Sequence, residues 1–189
     1  MNGFHRWFCR TDLWRGLLEG KILPWTLDGV ELGDQVLEIG PGPGLTTEWL
    51  LGRCESLTAL EIDHRLAASL KSRLPAKKIS VIEGDATSLP FAERSFSSVI
   101  SFTMLHHIPT AALQERLIRE IFRVLEPGGL FAGSDSPASP LLRLMHLREA
   151  YLPIDPDKFR PSLESAGFTD ITIERKRRVF RFLARRPHP

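Results

Sequence analysis

The sequence predicts an α/β fold in which helices are layered on a mostly parallel β-sheet. Strand-like and helix-like stretches alternate along most of the chain, and the first strand runs straight into a glycine-rich turn that is followed by a helix. The length of 189 residues, with 42% apolar and 25% charged residues, is typical of one globular domain. We therefore expect residues 1–189 to form a single domain.

Apolar runs and helical periodicity define the individual elements. Five strands are expected at 36–39, 57–62, 79–83, 97–102 and 130–133. Helices are expected at 45–51, 63–74, 111–125, 141–147 and 157–166, the last capped by Gly167. The segment Pro127-Gly128-Gly129 should break the chain before the fifth strand, and segments 168–174 and 178–184 should close the sheet as a hairpin.

Two regions fall outside this alternation. Residues 1–34 carry Phe4, Trp7, Phe8, Leu13, Trp14, Leu17, Leu18 and Trp25, and they predict one or two amphipathic helices. Residues 136–154 form a proline-rich insertion that contains Pro137, Pro140 and Pro153. We interpret 1–34 as a helical lid and 136–154 as a substrate-side insertion. The alternative is that Trp7, Trp14 and Trp25 simply pack in the core.

The turn Gly40-Pro41-Gly42-Pro43-Gly44 follows the first strand directly. Glycine permits sharp turning and close approach of the backbone to a ligand, and the next helix should offer free N–H groups and a positive dipole end. Such a loop can hold a pyrophosphate or a charged amino-acid group. Leu45 stands where a dinucleotide motif needs a small residue, and the Glu38 carboxylate would repel a pyrophosphate but attract an ammonium.

Acidic residues close the next two strands. Glu61 lies twenty-one residues after Gly40, which matches the spacing of a carboxylate that binds ribose hydroxyls. Asp63 is expected to cap the following helix instead. Asp85, at the end of the third strand, can accept a hydrogen bond from an adenine amino group. Ligands of such sheets bind at the carboxyl edge, so these carboxylates should meet there.

The blocks VLEIGPGPG, LTALEID, EGDATSLPF, FSSVISFTMLHHI and RVLEPGGLF, in this order, resemble the class I S-adenosylmethionine-dependent methyltransferases. The resemblance implies a Rossmann-like seven-stranded sheet with an antiparallel last strand and helices on both faces. It also implies S-adenosylmethionine as cofactor. The expected cofactor-binding residues are Glu38, Gly40, Gly42, Gly44, Glu61, Ile62, Asp85, Ala86, Ser101 and Phe102.

Methyl transfer requires positioning, and a general base only when the acceptor keeps its proton. His106 and His107 are the candidate bases because they follow the fourth strand at the cofactor edge; the alternative for both is a structural role. Asp135 and Tyr151 are weaker candidates. No metal is expected, since no spaced cluster of His, Cys and carboxylates is visible in the sequence.

The expected reaction is methyl transfer to a small, apolar acceptor, with two alternatives left open. The first half also resembles the ribosomal RNA adenine dimethylases. However, the Asn-Leu-Pro-Tyr type motif of those enzymes is replaced by Ser101-Phe102-Thr103-Met104. RNA adenine N-methylation is therefore one alternative, and a non-catalytic S-adenosylmethionine-binding protein is the other. Glu38 and Leu45 argue against a nicotinamide-dependent oxidoreductase.

Charge and cysteine content bear on partners and on location. The net charge of +2 gives no reason to expect a nucleic-acid partner, and no stretch approaches the roughly 18 apolar residues of a membrane span. We expect a cytoplasmic protein in which Cys9 and Cys54 are unpaired, at least half-buried thiols. The arginines of 175–186 are expected to protect an edge strand; the alternative is a patch for an anionic substrate or a membrane surface. The oligomeric state stays open.

Overall fold

The computed structural model describes residues 11–75, 78–146 and 150–188. Within them the strands form a seven-stranded sheet of order β3-β2-β1-β4-β5-β7-β6. The strands β1 to β5 are parallel to one another, whereas β7 is antiparallel to both of its neighbours. The strand bounds are β1 Gln35–Ile39, β2 Ser56–Glu61, β3 Ile79–Glu83, β4 Phe96–Phe102, β5 Leu125–Asp135, β6 Thr169–Lys176 and β7 Val179–Arg185. The predicted fold class is confirmed.

The helices of the described residues include short and long segments. Their bounds are α1 Asp12–Leu17, α2 Leu23–Thr26, α3 Leu45–Leu50, α4 His64–Arg73, α5 Ala111–Val124, α6 Pro140–Met145 and α7 Pro156–Ser165. A π-helical turn, Leu18–Ile22, joins α1 to α2, and a 3₁₀ turn, Leu105–His107, follows β4. Asp63 caps α4 as predicted, accepting hydrogen bonds from the N–H groups of Arg65 and Leu66.

The two faces of the sheet are covered by separate apolar clusters. One contains side chains of α5 and α7, such as Ile121 and Phe159, packed on Phe131 and Phe182 of the sheet. The other contains α1 to α4 on the opposite strand faces. Because both faces are covered, the central parallel strands β1, β2 and β4 are mostly buried, and short apolar runs within them are visible in the sequence.

The Pro127-Gly128-Gly129 segment departs from its prediction. It was expected to separate α5 from the fifth strand, but β5 begins at Leu125 and runs through it. The register against β4 shifts at this point, as in a β-bulge, and Gly128 has a positive φ of 77°. The Gly128 N–H donates to the Arg186 carbonyl, so the chain stays paired with its C-terminal segment where a loop was expected.

The N-terminal helices carry a buried face and an exposed face. Leu18, Ile22 and Leu23 are buried in the cluster that also contains Leu50. Leu13, by contrast, is 79% exposed. Phe4, Trp7, Phe8, Cys9 and residue 147 of the predicted 141–147 helix lie outside the described residues. No helix of the described ranges combines the length and the apolar character that a membrane span requires.

Two smaller features concern Cys54 and the arginines of 175–186. Cys54 is half-buried, its thiol donates to the Leu50 carbonyl over 3.4 Å, and burial raises the pKa of that thiol.

β6 is an edge strand, and Arg175 on it pairs with Asp157. Arg186 donates to three carbonyls around the end of α5. These two arginines therefore have partners within the fold.

Glu38 connects β1 to the helix that follows the glycine turn. Its carboxylate is 1% exposed and accepts hydrogen bonds from the hydroxyls of Thr46 and Thr47, the latter over 2.6 Å. Burial raises the pKa of Glu38 to about 7, although the two threonine hydroxyls oppose this change and the Glu61 carboxylate adds to it. Through these hydrogen bonds Glu38 fixes the first turn of α3 to β1.

Glu38 should make the folded state less stable as the pH rises. Below its ordinary pKa of 4.5 the carboxyl is protonated in both the folded and the unfolded chain. Between pH 4.5 and 7 only the folded chain keeps the proton, so its contribution falls by about 3 kcal/mol across this window. Urea unfolding at pH 5 and pH 8 should show most of this loss in the wild type and a flatter dependence in Glu38→Gln.

The exposed Glu31 provides the control for this measurement. Glu31→Gln should keep the pH dependence of the wild type, because its carboxyl lies outside the core. An unchanged pH dependence in Glu38→Gln would show that the buried carboxyl does not titrate in this window.

Candidate active site

A cavity of about 730 Å³ opens at the carboxyl ends of β1, β2, β3 and β4. Such a volume suits a cofactor or a small ligand. Eight of the twelve residues predicted to bind the cofactor or act as a base line it, namely Gly40, Gly42, Glu61, Ile62, Asp85, Ala86, Phe102 and His107. Four others, Glu38, Gly44, Ser101 and His106, are absent from its lining. The sheet therefore brings the predicted strand ends to one cleft.

The glycine turn is shaped by backbone conformations that side chains oppose. Gly40, Gly42 and Gly44 all have positive φ, between 57° and 94°. A Cβ on Gly40 would clash with the Met104 side chain, so the close approach of these segments requires glycine. A Cβ on Gly42 would meet nothing within 4 Å. The turn therefore leaves open space at Gly42, which lines the cavity.

The N–H groups of the turn are used inside the protein. Gly40 donates to the Leu60 carbonyl, Gly42 to the Glu61 carboxylate and Gly44 to the Pro41 carbonyl, over 2.9 to 3.0 Å. Pro41 and Pro43 have no N–H. These three N–H groups are therefore already paired within the fold; the expectation of free N–H groups concerns the helix that follows and stays a prediction. A pyrophosphate needs such donors, whereas an ammonium needs acceptors, so the turn is better suited to an amino-acid group.

Glu61 closes β2 and is 5% exposed. Its Oε2 accepts from the Gly42 N–H and its Oε1 from the Asp63 N–H, both over 2.9 Å. Burial raises the pKa of this carboxyl, and these two hydrogen bonds oppose the rise. A carboxylate can accept about four hydrogen bonds, so Glu61 retains acceptor capacity toward the cavity that it lines.

The residues that follow β2 and β3 line the same cavity as Glu61. Asp85 is exposed, and its Oδ1 accepts from the N–H and the hydroxyl of Thr87 over 2.8 and 2.9 Å. These bonds orient the Asp85 carboxylate beside the buried Ala86. Ile62 is 70% exposed and lines the same cavity, so it offers an apolar surface there. An aromatic ring could lie between these strand ends.

The end of β4 contributes a strained residue that the sequence did not indicate. Thr103 has a φ of 49°, an unusual conformation for a β-branched residue, and its N–H donates to the Ser134 carbonyl. Strain of this kind is concentrated at functional sites. Phe102, Thr103 and Met104 all line the cavity. Ser101 is buried one residue earlier, and its hydroxyl has no hydrogen-bond partner among the described residues.

The two predicted histidines occupy different positions. His107 lines the cavity, whereas His106 is buried behind it. Nδ1 of His106 lies 2.6 Å from Oδ1 of Asp135, which is itself fully buried. The Asp135 carboxylate also accepts from the N–H groups of His106 and Ser136. Tyr151 is half-buried, burial raises the pKa of its phenol, and its ring stacks on the ring of His146.

Three histidines form a cluster that no spacing in the sequence indicated. Nitrogen atoms of His106, His107 and His146 lie within 4.8 Å of one another. Possible metal ligands are thus close together in space although no spacing in the sequence indicated them, and the expectation that no metal binds stays a prediction. His146 comes from the proline-rich insertion, nearly forty residues away in the chain, so no local spacing pattern could reveal it. The cavity wall also contains Trp14, which belongs to the segment predicted as a lid, and Leu113, which sequence reasoning did not assign to the site.

The comparisons with known proteins agree with this geometry. Residues 37–133 match the family model described as Methyltransferase domain. Ribosomal RNA small subunit methyltransferase A of Bordetella pertussis is 37% identical over 143 residues, which cover 68% of this chain and 53% of that protein. Demethylmenaquinone methyltransferase of Paenarthrobacter aurescens is 31% identical, with 86% of this chain and 71% of that protein covered.

A solved structure gives the same picture of the fold. Phosphoethanolamine N-methyltransferase 2 of Haemonchus contortus, in complex with S-adenosyl-L-methionine, aligns with a TM-score of 0.75 at 15% identity. The alignment covers 100% of this chain and 61% of that one. The chain spans about half the length of several curated relatives that it matches. On the family match and the fold together, the chain belongs to the class I S-adenosylmethionine-dependent methyltransferases.

Proposed function

We propose that this chain transfers the methyl group of S-adenosylmethionine to a small, apolar acceptor. One observation carries the proposal. The ends of three consecutive strands bring a glycine turn and two carboxylates, Glu61 and Asp85, to a single cavity. A nucleoside that ends in an amino acid matches this arrangement, because its diol needs an acceptor and its ammonium needs oxygen atoms nearby.

The roles within the cofactor half follow from the chemistry of each wall. Gly40 and Gly42 would face the amino-acid moiety, Glu61 the ribose hydroxyls, and Asp85 with the Ala86 N–H the adenine. Ile62 would cover one face of the adenine ring. Glu38 and Gly44 would act indirectly, since Glu38 holds Thr46, which lines the cavity, and Gly44 turns the chain into α3.

The acceptor half of the cavity is apolar. Its wall contains Trp14, Leu18, Met104, Ile108 and Leu113. Such a surface favours a hydrophobic acceptor over a charged one. The name of the demethylmenaquinone methyltransferase relative points to the same class of acceptor. We propose that residues 11–26 combine the predicted lid role with core packing, because they supply two of these side chains and also bury a core face.

RNA adenine methylation is the second candidate function, because the name of the 37% identical relative supports it. Binding to a nucleic acid relies on cationic side chains toward its phosphates. The wall of this cavity contains no lysine or arginine among the described residues. We therefore rank the small apolar acceptor first. A non-catalytic S-adenosylmethionine-binding role is the third outcome that the experiments below distinguish.

Methyl transfer depends on alignment and on the exclusion of water. S-adenosylmethionine, when bound, supplies a methyl group on a positively charged sulfur atom, which keeps the electron pair of the carbon–sulfur bond. The acceptor lone pair forms the new bond from the side of the apolar wall. Trp14 and Met104 would exclude water and orient the acceptor. An acceptor that carries a proton would be activated at His107, with His106 and Asp135 fixing the geometry behind it.

Glu61→Gln should weaken the binding of S-adenosylhomocysteine roughly 10- to 100-fold, because hydrogen bonds to a charged acceptor contribute about 1.5–3 kcal/mol. Isothermal titration calorimetry measures the affinity directly. Glu83→Gln is the matched control: Glu83 pairs with Glu61 in the β2–β3 register but does not line the cavity. Equal affinities for the two variants would contradict the assignment of Glu61 to the ribose.

The acceptor class is tested by turnover on a panel, with release of S-adenosylhomocysteine as the signal. A reduced short-chain naphthoquinone and a phenol should be methylated, whereas an RNA hairpin with unpaired adenines should not. Trp14→Ala should raise KM for the apolar acceptor about tenfold, equivalent to losing roughly 60 Å² of apolar contact. The neighbouring, exposed Leu13→Ala should leave KM unchanged.

Two results of this panel would overturn the proposal. Methylation of the hairpin with a higher kcat/KM than any apolar acceptor would establish RNA adenine methylation as the function. Tight binding of S-adenosylhomocysteine without turnover on any acceptor would support a non-catalytic S-adenosylmethionine-binding role.

A further inference from the structure

We propose that His106, His107 and His146 form a binding site for one divalent transition-metal ion of the zinc type. Their candidate ligand atoms lie within 4.8 Å of one another. The three rings also contact one another, with centroid separations of 4.4 to 4.9 Å. Neutral imidazole is a common ligand of Zn²⁺, Co²⁺ and related ions. Three such rings at one point are the donor set of a three-histidine site.

The hydrogen bonds behind the rings define which nitrogen atoms face inward. Nδ1 of His106 lies 2.6 Å from the Asp135 carboxylate, and Nδ1 of His146 lies 2.7 Å from the Leu142 carbonyl. Both partners are acceptors, so each Nδ1 carries the hydrogen. The lone pair of each neutral ring is then on Nε2. These two Nε2 atoms lie 3.2 Å apart.

Two lone pairs at this distance repel each other unless a positive charge lies between or beside them. A tetrahedral ion with Zn–N bonds of about 2.0–2.1 Å places two ligand nitrogen atoms roughly 3.4 Å apart. The observed separation is close to that value. The alternative is a proton shared by the two rings, which would make one of them cationic. The experiment below distinguishes these two cases.

The surroundings favour the metal ion. Asp135, His106 and the ion would form a carboxylate–histidine–metal arrangement, in which the carboxylate orients the ligand and raises its basicity. Asp135 is fully buried and held by the N–H groups of His106 and Ser136. A buried carboxylate requires nearby positive charge. A divalent ion supplies that charge without an ionised side chain.

The third ligand connects the ion to the reaction. His107 lines the cavity, while His106 and His146 are buried. Three protein ligands leave a fourth position, as in catalytic zinc sites, and here it would be reached from the side of His107. This step rests on the proposed function: an acceptor oxygen bound at that position would release its proton more readily and be fixed beside the methyl donor. The acceptor class is thereby narrowed to apolar molecules with a hydroxyl or a similar coordinating group.

The test uses the full chain, freed of any histidine tag and treated with a chelator. Titration with Co²⁺ should give the visible absorption of a low-coordinate ion, saturating at one ion per chain, and Zn²⁺ should displace it. His146→Gln should weaken Co²⁺ binding at least about 100-fold. Asp135→Asn should weaken it about 10- to 100-fold, the range found for partners of metal-bound histidines. His64→Gln, which changes an exposed histidine paired with Glu83, should bind Co²⁺ as the wild type does.

Several outcomes would overturn the site. One is the absence of saturable Co²⁺ absorption in the wild type, and another is identical affinity in His146→Gln and His64→Gln. Circular dichroism establishes that each variant is folded. S-adenosylhomocysteine titration of His146→Gln separates this inference from the proposed function. If the wild type binds S-adenosylhomocysteine but no metal ion, the metal site alone is refuted. If the metal-loaded wild type does not bind S-adenosylhomocysteine, the proposed function is refuted.

Discussion

The hydrogen bond from the Gly42 N–H to the Glu61 carboxylate connects the two parts of the fold on which the cofactor half of the cavity depends. It joins the turn after β1 to the end of β2, and the Asp63 N–H holds the other oxygen of the same carboxylate. The carboxylate is thereby oriented before any ligand arrives, at the cost of burying a charge beside Glu38. Because its position is already defined, the ligand would not have to order it.

The acceptor half is assembled differently, from elements that are distant in the sequence. The N-terminal helical segment contributes Trp14 and Leu18, the end of β4 contributes Met104, and the 3₁₀ turn contributes His107. His146 from the insertion closes the histidine cluster from behind. A fold does not by itself define what a site binds, so the acceptor proposed above rests on these segments, which combine apolar walls with one polar cluster.

Much of this architecture is predictable from the sequence because it depends on local patterns. Buried parallel strands leave short apolar runs, and Asp63 shows the sequence signature of a helix cap. The gathering of Glu61 and Asp85 at one edge follows from the parallel topology alone. Hydrogen bonds inside the glycine turn were not predictable, because the Leu60 carbonyl and the Glu61 carboxylate belong to another strand.

The Glu38 environment and the histidine cluster depend on tertiary contacts in the same way. Glu38 was expected near the ligand, yet its carboxylate bonds to Thr46 and Thr47 on the following helix. His146 has no neighbouring partner in the sequence, and only the folding of the insertion over the 3₁₀ turn brings it to His106.

A crystal structure of the chain with S-adenosylhomocysteine would show directly whether Glu61 binds the ribose. We expect both ribose hydroxyls within about 3.2 Å of the Glu61 carboxylate and the adenine between Ile62 and the Asp85–Ala86 segment. We also expect the homocysteine ammonium beside carbonyl oxygens of the turn at Gly40. Binding of the ligand elsewhere, or a ribose that does not contact Glu61, would contradict this assignment.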